Sequence, residues 1–187
     1  MKITKSQRNN IITLLLIILF IVPQTRKPIQ VTFHKVLMLF SPSVIDKEDR
    51  VSIKNYGWNL VDQNGNKYDF NEAKNEVVFV NLWATWCPPC IAEMPAMQNL
   101  YNDYKNRVTF LFVTNEDFKR VQAFFNKKEY TLPTFQSISE IPSELYSRSI
   151  PATYILDKKG EIVVNKKGAA DWNGDAIRSL LDTLLLE

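Results

Sequence analysis

Residues 80–90 read Val80-Asn-Leu-Trp-Ala-Thr-Trp-Cys-Pro-Pro-Cys90, and they decide the fold of this chain. Their first half continues an apolar run from Val77 to Trp83, which is typical of a strand buried on both faces of a sheet. Beyond them, apolar residues recur at the spacing of one helix face. These are Cys90, Met94, Met97, Tyr101 and Tyr104. The sequence therefore predicts a central strand that passes directly into a helix, with two cysteines at the junction.

These two cysteines, Cys87 and Cys90, are the only ones in the 187 residues. A disulfide-stapled scaffold needs several pairs, and a structural zinc site needs four soft ligands, so both classes are excluded. The first turn of a helix offers unpaired N–H groups and the positive end of the dipole, which lowers a thiol pKa below its usual value of roughly 8.5. Cys87 is thus predicted to be a nucleophile and Cys90 the thiol that resolves a mixed disulfide. A single structural disulfide, or two inert thiols, is the alternative.

The residues on both sides of this junction complete an α/β pattern. Asn64-Gly65 predicts a hairpin between residues 58–61 and 67–70. Four further elements follow along the chain. They are a strand at 108–113, a helix containing Phe118, Val121 and Phe125, a second hairpin made of 152–156 and 161–164, and a closing amphipathic helix at 177–185. A β-α-β unit followed by a hairpin and a helix predicts one sheet covered on both faces, in a domain spanning residues 51–187.

Residues 1–50 have a different character. Lys2, Lys5 and Arg8 precede the apolar run Ile11–Val22, the layout of an export signal or a signal anchor. Twelve helical residues cover only about 18 Å of the roughly 30 Å hydrocarbon core, which favours a cleaved signal. The absence of a small-x-small cleavage pattern favours a retained anchor through residues 11–22, and this is our prediction. The basic N-terminus places the globular domain on the extracytoplasmic (periplasmic) side of the cytoplasmic membrane.

The segment between anchor and domain has two parts. Residues 29–40 form an amphipathic stretch that lies along the membrane or packs on the domain, and residues 46–50 are predicted to be a charged linker. Residues 1–50 hold eight of the 23 Lys and Arg but only three of the 20 Asp and Glu. The domain that follows is therefore mildly acidic, which argues against a nucleic-acid partner.

Residues 80–90 resemble the active-site segment of thioredoxin-like proteins, and most closely that of the membrane-anchored TlpA/ResA family. The segment Ser149–Asp157, followed by Gly160, is similar to the cis-proline loop and hairpin of that family. The resemblance covers roughly residues 55–187. It implies a thioredoxin-like fold, with a central mixed β-sheet flanked by helices. It also implies dithiol–disulfide exchange that reduces exported proteins, including apocytochromes before haem attachment.

The resemblance assigns roles to four residues. Cys87 matches the attacking cysteine, Cys90 the resolving cysteine and Pro151 the cis-proline that faces the disulfide. Glu93 matches a glutamate expected to be partly buried, with a raised pKa, and to relay the proton that Cys90 loses. A solvated glutamate in the first helical turns is the alternative. Asn81 replaces the buried aspartate of thioredoxin itself and cannot accept a proton, which strengthens the prediction for Glu93.

The direction of exchange is predicted to be reduction, which requires a membrane partner that donates electrons in an oxidising compartment. No cofactor or metal is expected. A disulfide oxidase or isomerase is the alternative within the class. A copper-handling domain is disfavoured because residues 51–187 contain no histidine, and a peroxidase because no peroxide site is visible. A binding module with incidental cysteines is the remaining alternative.

Overall fold

The computed structural model describes residues 4, 5, 7–11, 13, 14, 29–32 and 42–187. Most of the predicted anchor at residues 11–22, and most of the amphipathic segment at 29–40, lie outside these described residues. Among the residues that are described, no helix is both long enough and apolar enough to cross a bilayer. The anchor therefore stays a prediction.

The domain contains seven strands and three α-helices in α/β order. The strands are β1 (Asn59–Asp62), β2 (Lys67–Asp69), β3 (Val78–Leu82), β4 (Thr109–Val113), β5 (Thr134–Ser137), β6 (Ala152–Leu156) and β7 (Ile162–Lys167). The α-helices are α1 (Pro88–Tyr104), α2 (Phe118–Lys128) and α3 (Asp175–Leu186). Short 3-10 helices span Lys47–Asp49, Phe70–Ala73 and Ser143–Leu145. Both predicted hairpins and the three helices predicted within residues 51–187 are confirmed.

The seven strands form one mixed sheet in the order β2-β1-β5-β4-β3-β6-β7. Strands β3, β4 and β5 run parallel, because helices α1 and α2 carry the chain back between them. The other neighbouring pairs are antiparallel. Strand β3 is central, and four of its five residues are buried. The predicted mixed sheet and its thioredoxin-like arrangement are thus present in the structure.

The two faces of the sheet are covered differently. Alternate strand residues such as Phe79 and Phe112 share one core with side chains of all three α-helices. The intervening residues, such as Val80, share a second core with Trp58 and Leu145, which come from loops and a 3-10 helix. The alternation follows from the two-residue period of a strand. Both faces are covered as predicted, one by α-helices and the other by loops and 3-10 turns.

Strand β5 was not apparent from the sequence. It contains four residues, it follows Pro133, and only one of its residues is fully buried. Its strand conformation depends on pairing with β4 on one side and β1 on the other. A segment this short has no period of its own, so only its long-range partners define it.

The segment at residues 46–50, which the sequence predicted to be a linker, belongs to a stretch attached to the sheet. The Ile45 N–H donates to the Val163 carbonyl at 2.8 Å, and the Ile53 N–H donates to the Gly160 carbonyl at 2.9 Å. These bonds hold the stretch 45–53, called the edge strap below, against the β6–β7 hairpin. The strap thus gives hydrogen-bond partners to part of β7, the strand at this edge of the sheet.

A charged side chain supports this attachment. Arg50 lies 3.7 Å from Asp157 and 3.8 Å from Glu161, and the side chains of Arg50 and Asp157 are almost fully buried. Asp157 also accepts hydrogen bonds from two backbone N–H groups of the hairpin turn. The division of the chain at residue 50 stays a prediction, and the contacts show that residues just before it pack on the domain.

Candidate active site

Cys87 lies where β3 has ended and α1 begins. It occupies the N-cap position of α1, with Pro88 and Pro89 in the first turn. Proline suits these positions because their N–H groups have no partner within a helix. The Cys87 sulfur accepts a hydrogen bond from the Cys90 N–H at 3.3 Å, so it lies at the positive end of the helix dipole. This is the environment in which a thiolate at Cys87 is stabilised.

Cys87 and Cys90 form a disulfide, with 5.3 Å between their Cα atoms. Both side chains are buried, Cys87 with 3% of its surface exposed and Cys90 with none. Cys90 lies on the apolar stripe of α1, among the helix-covered core. The structure therefore shows the oxidised pair at the predicted junction, with Cys90 the more shielded of the two.

Pro151 lies at the same end of the sheet as the cysteines. The Ile150–Pro151 peptide bond is cis, as the sequence resemblance implied. Pro151 directly precedes β6, whose first residue Ala152 is paired with Leu82, the last residue of β3. The cysteine loop leaves β3 at this point, so the loop and the cis-proline share one end of the sheet. The functional role of Pro151 stays a prediction.

Glu93 is completely buried, one turn beyond Cys90 on α1. One carboxylate oxygen, Oε2, accepts hydrogen bonds from the Trp172 indole N–H at 2.9 Å and the Ala170 N–H at 3.4 Å. The other oxygen, Oε1, accepts from the Asn81 amide at 3.2 Å. Three elements of the fold thus converge on this carboxyl group, and the solvated alternative is wrong.

Burial raises the pKa of Glu93 from 4.5 to about 8, against the opposing effect of its three hydrogen bonds. The sequence predicted a raised pKa for a partly buried carboxyl, and the group is in fact fully buried. A carboxyl with a pKa near neutrality exchanges a proton readily at physiological pH. Glu93 therefore has the properties of a proton relay beside Cys90, and that role stays a prediction.

A cavity of about 390 Å³ opens beside the active-site loop. Its lining is mostly apolar and aromatic and includes Trp86, Tyr146 and Ile150. Trp86 is 54% exposed and Tyr146 57% exposed. Trp83, by contrast, is buried and stacks on Phe125 with 5.5 Å between ring centroids. Trp83 therefore packs the core, whereas Trp86 presents an aromatic surface next to the disulfide.

Glu116 was missed by the sequence reasoning, and it holds the active-site loop in place. Its carboxylate accepts hydrogen bonds from both the backbone N–H and the hydroxyl of Thr85, the latter at 2.8 Å. Arg120 lies 3.1 Å from the same carboxylate, and the Gln136 amide donates to the Glu116 carbonyl at 2.6 Å. The residue thus ties the loop before Cys87 to the ends of β4 and β5. Since Glu116 lies 31 residues after Thr85, nothing local in the sequence pairs them.

Replacing Glu116 with alanine is expected to lower the free energy of unfolding by about 2 kcal/mol, because charge-assisted hydrogen bonds to the loop are lost. Urea denaturation of the oxidised protein measures this change. Glu140→Ala removes an exposed carboxylate and serves as the control. Equal stability of the two variants would show that the loop does not depend on Glu116.

In the described ranges, no cluster of three or more His, Cys, Asp or Glu side chains is arranged to hold a metal ion. The carboxylates of Glu93 and Glu116 are instead engaged by hydrogen-bond donors of the protein. The arrangement consists of a disulfide at a helix N-terminus, a buried carboxyl and an aromatic surface. These are the components of thiol–disulfide exchange.

Comparison with known proteins agrees with this chemistry. Residues 51–165 match the model of the AhpC/TSA family. Among similar proteins, the thioredoxin-like protein YneN of Bacillus subtilis is 37% identical over 102 residues, which cover 52% of this chain and 60% of YneN. The thiol-disulfide oxidoreductase ResA of Bacillus thuringiensis is 31% identical over 127 residues, which cover 65% of this chain and 73% of ResA.

Solved structures show the same fold. StoA from Bacillus subtilis superimposes with a TM-score of 0.53 and 24% identity, covering 69% of this chain and 95% of StoA. A thiol:disulfide interchange protein of the thioredoxin family from Chlorobium tepidum gives a TM-score of 0.54 and 20% identity, covering 78% of this chain and 96% of the other. At this level of identity the likeness concerns the fold alone.

Proposed function

Because the chain belongs to the AhpC/TSA family and is a thioredoxin-like thiol–disulfide oxidoreductase of the ResA type, we propose that its Cys87–Cys90 dithiol reduces disulfide bonds of exported proteins. Apocytochromes before haem attachment are included among these substrates. The observation that carries the proposal is the position of Cys87 at the N-cap of α1, with the buried Glu93 one turn beyond Cys90.

The reaction begins with the reduced pair. The Cys87 thiolate, stabilised by the α1 dipole, attacks a substrate disulfide, forms a mixed disulfide and releases the first substrate thiolate. Cys90 gives its proton to the ionised form of Glu93 and attacks the sulfur of Cys87. The Cys87–Cys90 disulfide forms and the second substrate thiolate leaves, taking a proton from solvent. The substrate gains two electrons and the dithiol loses two.

Substrate access is proposed to occur across the aromatic surface beside the disulfide. Cys87 is almost fully buried in the oxidised form, while its chain neighbour Trp86, and Tyr146 in the same cavity as Trp86, are more than half exposed. Exposed aromatic side chains supply large apolar contact area at small entropic cost when a partner docks. The cis-proline loop, which contributes Ile150 to the same cavity, completes this surface.

The function is tested by reduction of insulin disulfides with the full-length protein and dithiothreitol. Turnover is expected for the natural protein and for the control variant Glu140→Gln, and is expected to be lost in Cys87→Ser. The direction is tested by equilibrating the dithiol with glutathione. A reduction potential near that of thioredoxin, about −270 mV, supports a reductase, whereas a value near about −120 mV, as in DsbA, supports an oxidase.

The cellular location is part of the proposal. Residues 11–22 are proposed to anchor the protein in the cytoplasmic membrane with the domain outside, where a membrane protein supplies electrons. What supports this is the basic N-terminus followed by an apolar run. Full-length protein is expected to sediment with membranes and to resist extraction by 1 M salt, roughly the concentration at which surface charge is screened beyond about 3 Å. Recovery of a soluble chain that begins between residues 23 and 40 would show instead that the segment is a cleaved signal.

A further inference from the structure

The Asn81 amide occupies the centre of the buried polar network behind the cysteines. Asn81 on β3 is paired in register with Thr153 on β6. Its Nδ2 donates to Thr153 Oγ1 at 2.8 Å and to Glu93 Oε1 at 3.2 Å. Its other atom, Oδ1, is buried and has no donor within hydrogen-bond distance in the described part of the chain. A buried acceptor without a partner carries a cost of about 1–3 kcal/mol and calls for an explanation.

The hydrogen bonds of Glu93 determine which of its oxygens can carry a proton. Both partners of Oε2, the Trp172 indole and the Ala170 backbone, are N–H groups that can only donate. A proton on Oε2 would face these two donors. A proton on Oε1 faces only Asn81, whose amide can donate or accept according to its orientation. Protonation of Glu93 is thus directed to Oε1.

We propose that Asn81 is the positioning residue for the Glu93 proton and that its amide turns by about 180° when Oε1 becomes protonated. In the turned orientation, Asn81 Oδ1 accepts the Glu93 Oε1–H and the Thr153 Oγ1–H, and Nδ2 takes the position that Oδ1 now holds without a partner. The exchange is therefore driven by the proton on Oε1, which only Oδ1 can accept. In the orientation of the structure, Nδ2 donates to the carboxylate. The same side chain therefore stabilises each protonation state of Glu93 in turn.

This inference rests on the proposed function for the origin of the proton. Before Cys90 attacks, its S–H bond breaks and the Glu93 Oε1–H bond forms, so this transfer moves one proton. The attack that follows forms the Cys87–Cys90 bond and breaks the mixed disulfide, and two electrons pass to the substrate in that step. The groups that hydrogen-bond to Glu93 are Asn81 on β3 and, in the loop before α3, the Ala170 N–H and Trp172, none of which is charged. On α1, Cys87 and Cys90 are joined in the disulfide, so they do not titrate in the oxidised protein. The other buried carboxyl in the described residues, Asp157, lies at the far end of β6 and is paired with Arg50.

The rotation of the Asn81 amide can be observed in the oxidised full-length protein, where no thiol–disulfide exchange takes place. Nuclear magnetic resonance of protein labelled at asparagine, threonine and glutamate follows the Glu93 carboxyl carbon and contacts between Asn81 Nδ2 protons and Thr153. We expect both signals to change with one midpoint, near pH 8. Above it the Nδ2 protons lie beside Thr153, and below it they lie away from Thr153. Contacts that persist through the carboxyl titration would overturn the proposal.

A second variant makes the result independent of turnover. In Glu93→Gln the side-chain amide directs its oxygen to Trp172 and its N–H group to Asn81, so Asn81 is expected to stay in the turned orientation at every pH. Nδ2 contacts with Thr153 in this variant would overturn the proposal. If the amide turns as expected but insulin reduction is absent, the proposed function fails and the inference about Asn81 stands.

Discussion

Glu93→Gln is expected to remove most of the pH dependence of unfolding between pH 4.5 and about 8 in the oxidised protein. The carboxyl has a pKa near 4.5 when the chain is unfolded and near 8 when it is buried in the fold. Below pH 4.5 both states hold the proton and burial of the carboxyl costs little. As the pH rises to about 8, the unfolded state loses its proton while the folded state keeps it, so stability falls.

The expected loss is on the order of 4 kcal/mol over this range, since each pKa unit corresponds to about 1.4 kcal/mol. Glutamine has nearly the same shape and no charge, and it can bond to Asn81 and Trp172. The variant is therefore expected to be more stable than the natural protein above pH 8 and similar to it at pH 4.5. Urea denaturation at half-unit pH steps measures the difference.

The control for this experiment is Glu140→Gln, which removes an exposed carboxylate at the surface. It is expected to reproduce the pH dependence of the natural protein. If Glu93→Gln also kept that dependence, Glu93 would not hold its proton in the folded state. A proton relay through Glu93 would then lose its basis. In that case Glu93→Gln would also be expected to reduce insulin disulfides at the rate of the natural protein from pH 5 to pH 9, a range around the thiol pKa of roughly 8.5.

Cys90→Ser is expected to convert the protein into a trap for its partners. Cys87 keeps its place at the helix N-terminus and still attacks, but no second thiol releases the mixed disulfide. Turnover in the insulin assay should fall to the background rate, and covalent complexes should accumulate. Non-reducing gel electrophoresis, with and without dithiothreitol, measures the trapped fraction.

Cys87→Ser is the matched control, because it removes one sulfur from the same pair. Cys90 is completely buried, so it is expected to form few mixed disulfides on its own. Stronger trapping by Cys87→Ser than by Cys90→Ser would reverse the two assigned roles. Equal and weak trapping in both variants would indicate a structural disulfide instead.

The sequence predicted those parts of the site that lie close together along the chain. Cys87, Cys90 and Glu93 lie within seven residues, so the strand–helix junction and helical spacing were enough to group them. The cis-proline at Pro151 came from the resemblance of a second motif and is confirmed. The hairpins and helices have strong local periods, so their positions were predicted within a few residues.

The remaining parts of the site depend on long-range contacts. Trp172 lies 79 residues after Glu93, and no local pattern connects the two. The contact with Trp172 contributes to the full burial of Glu93, and because no local pattern shows this contact, the sequence predicted only partial burial. Thr153 meets Asn81 through the register of β3 and β6, and Glu116 meets Thr85 through the parallel order of β3 and β4. These contacts follow from the order of strands in the sheet, which periodicity does not specify.

The edge strap fixes the point at which the preceding chain reaches the domain. It joins the sheet near the turn between β6 and β7, where Arg50 meets Asp157, whereas the dithiol lies beyond Leu82 at the other end of the same strands. Five strand residues separate these ends by about 16 Å. With the anchor proposed above, the chain would therefore enter the domain near the end of the sheet opposite the dithiol.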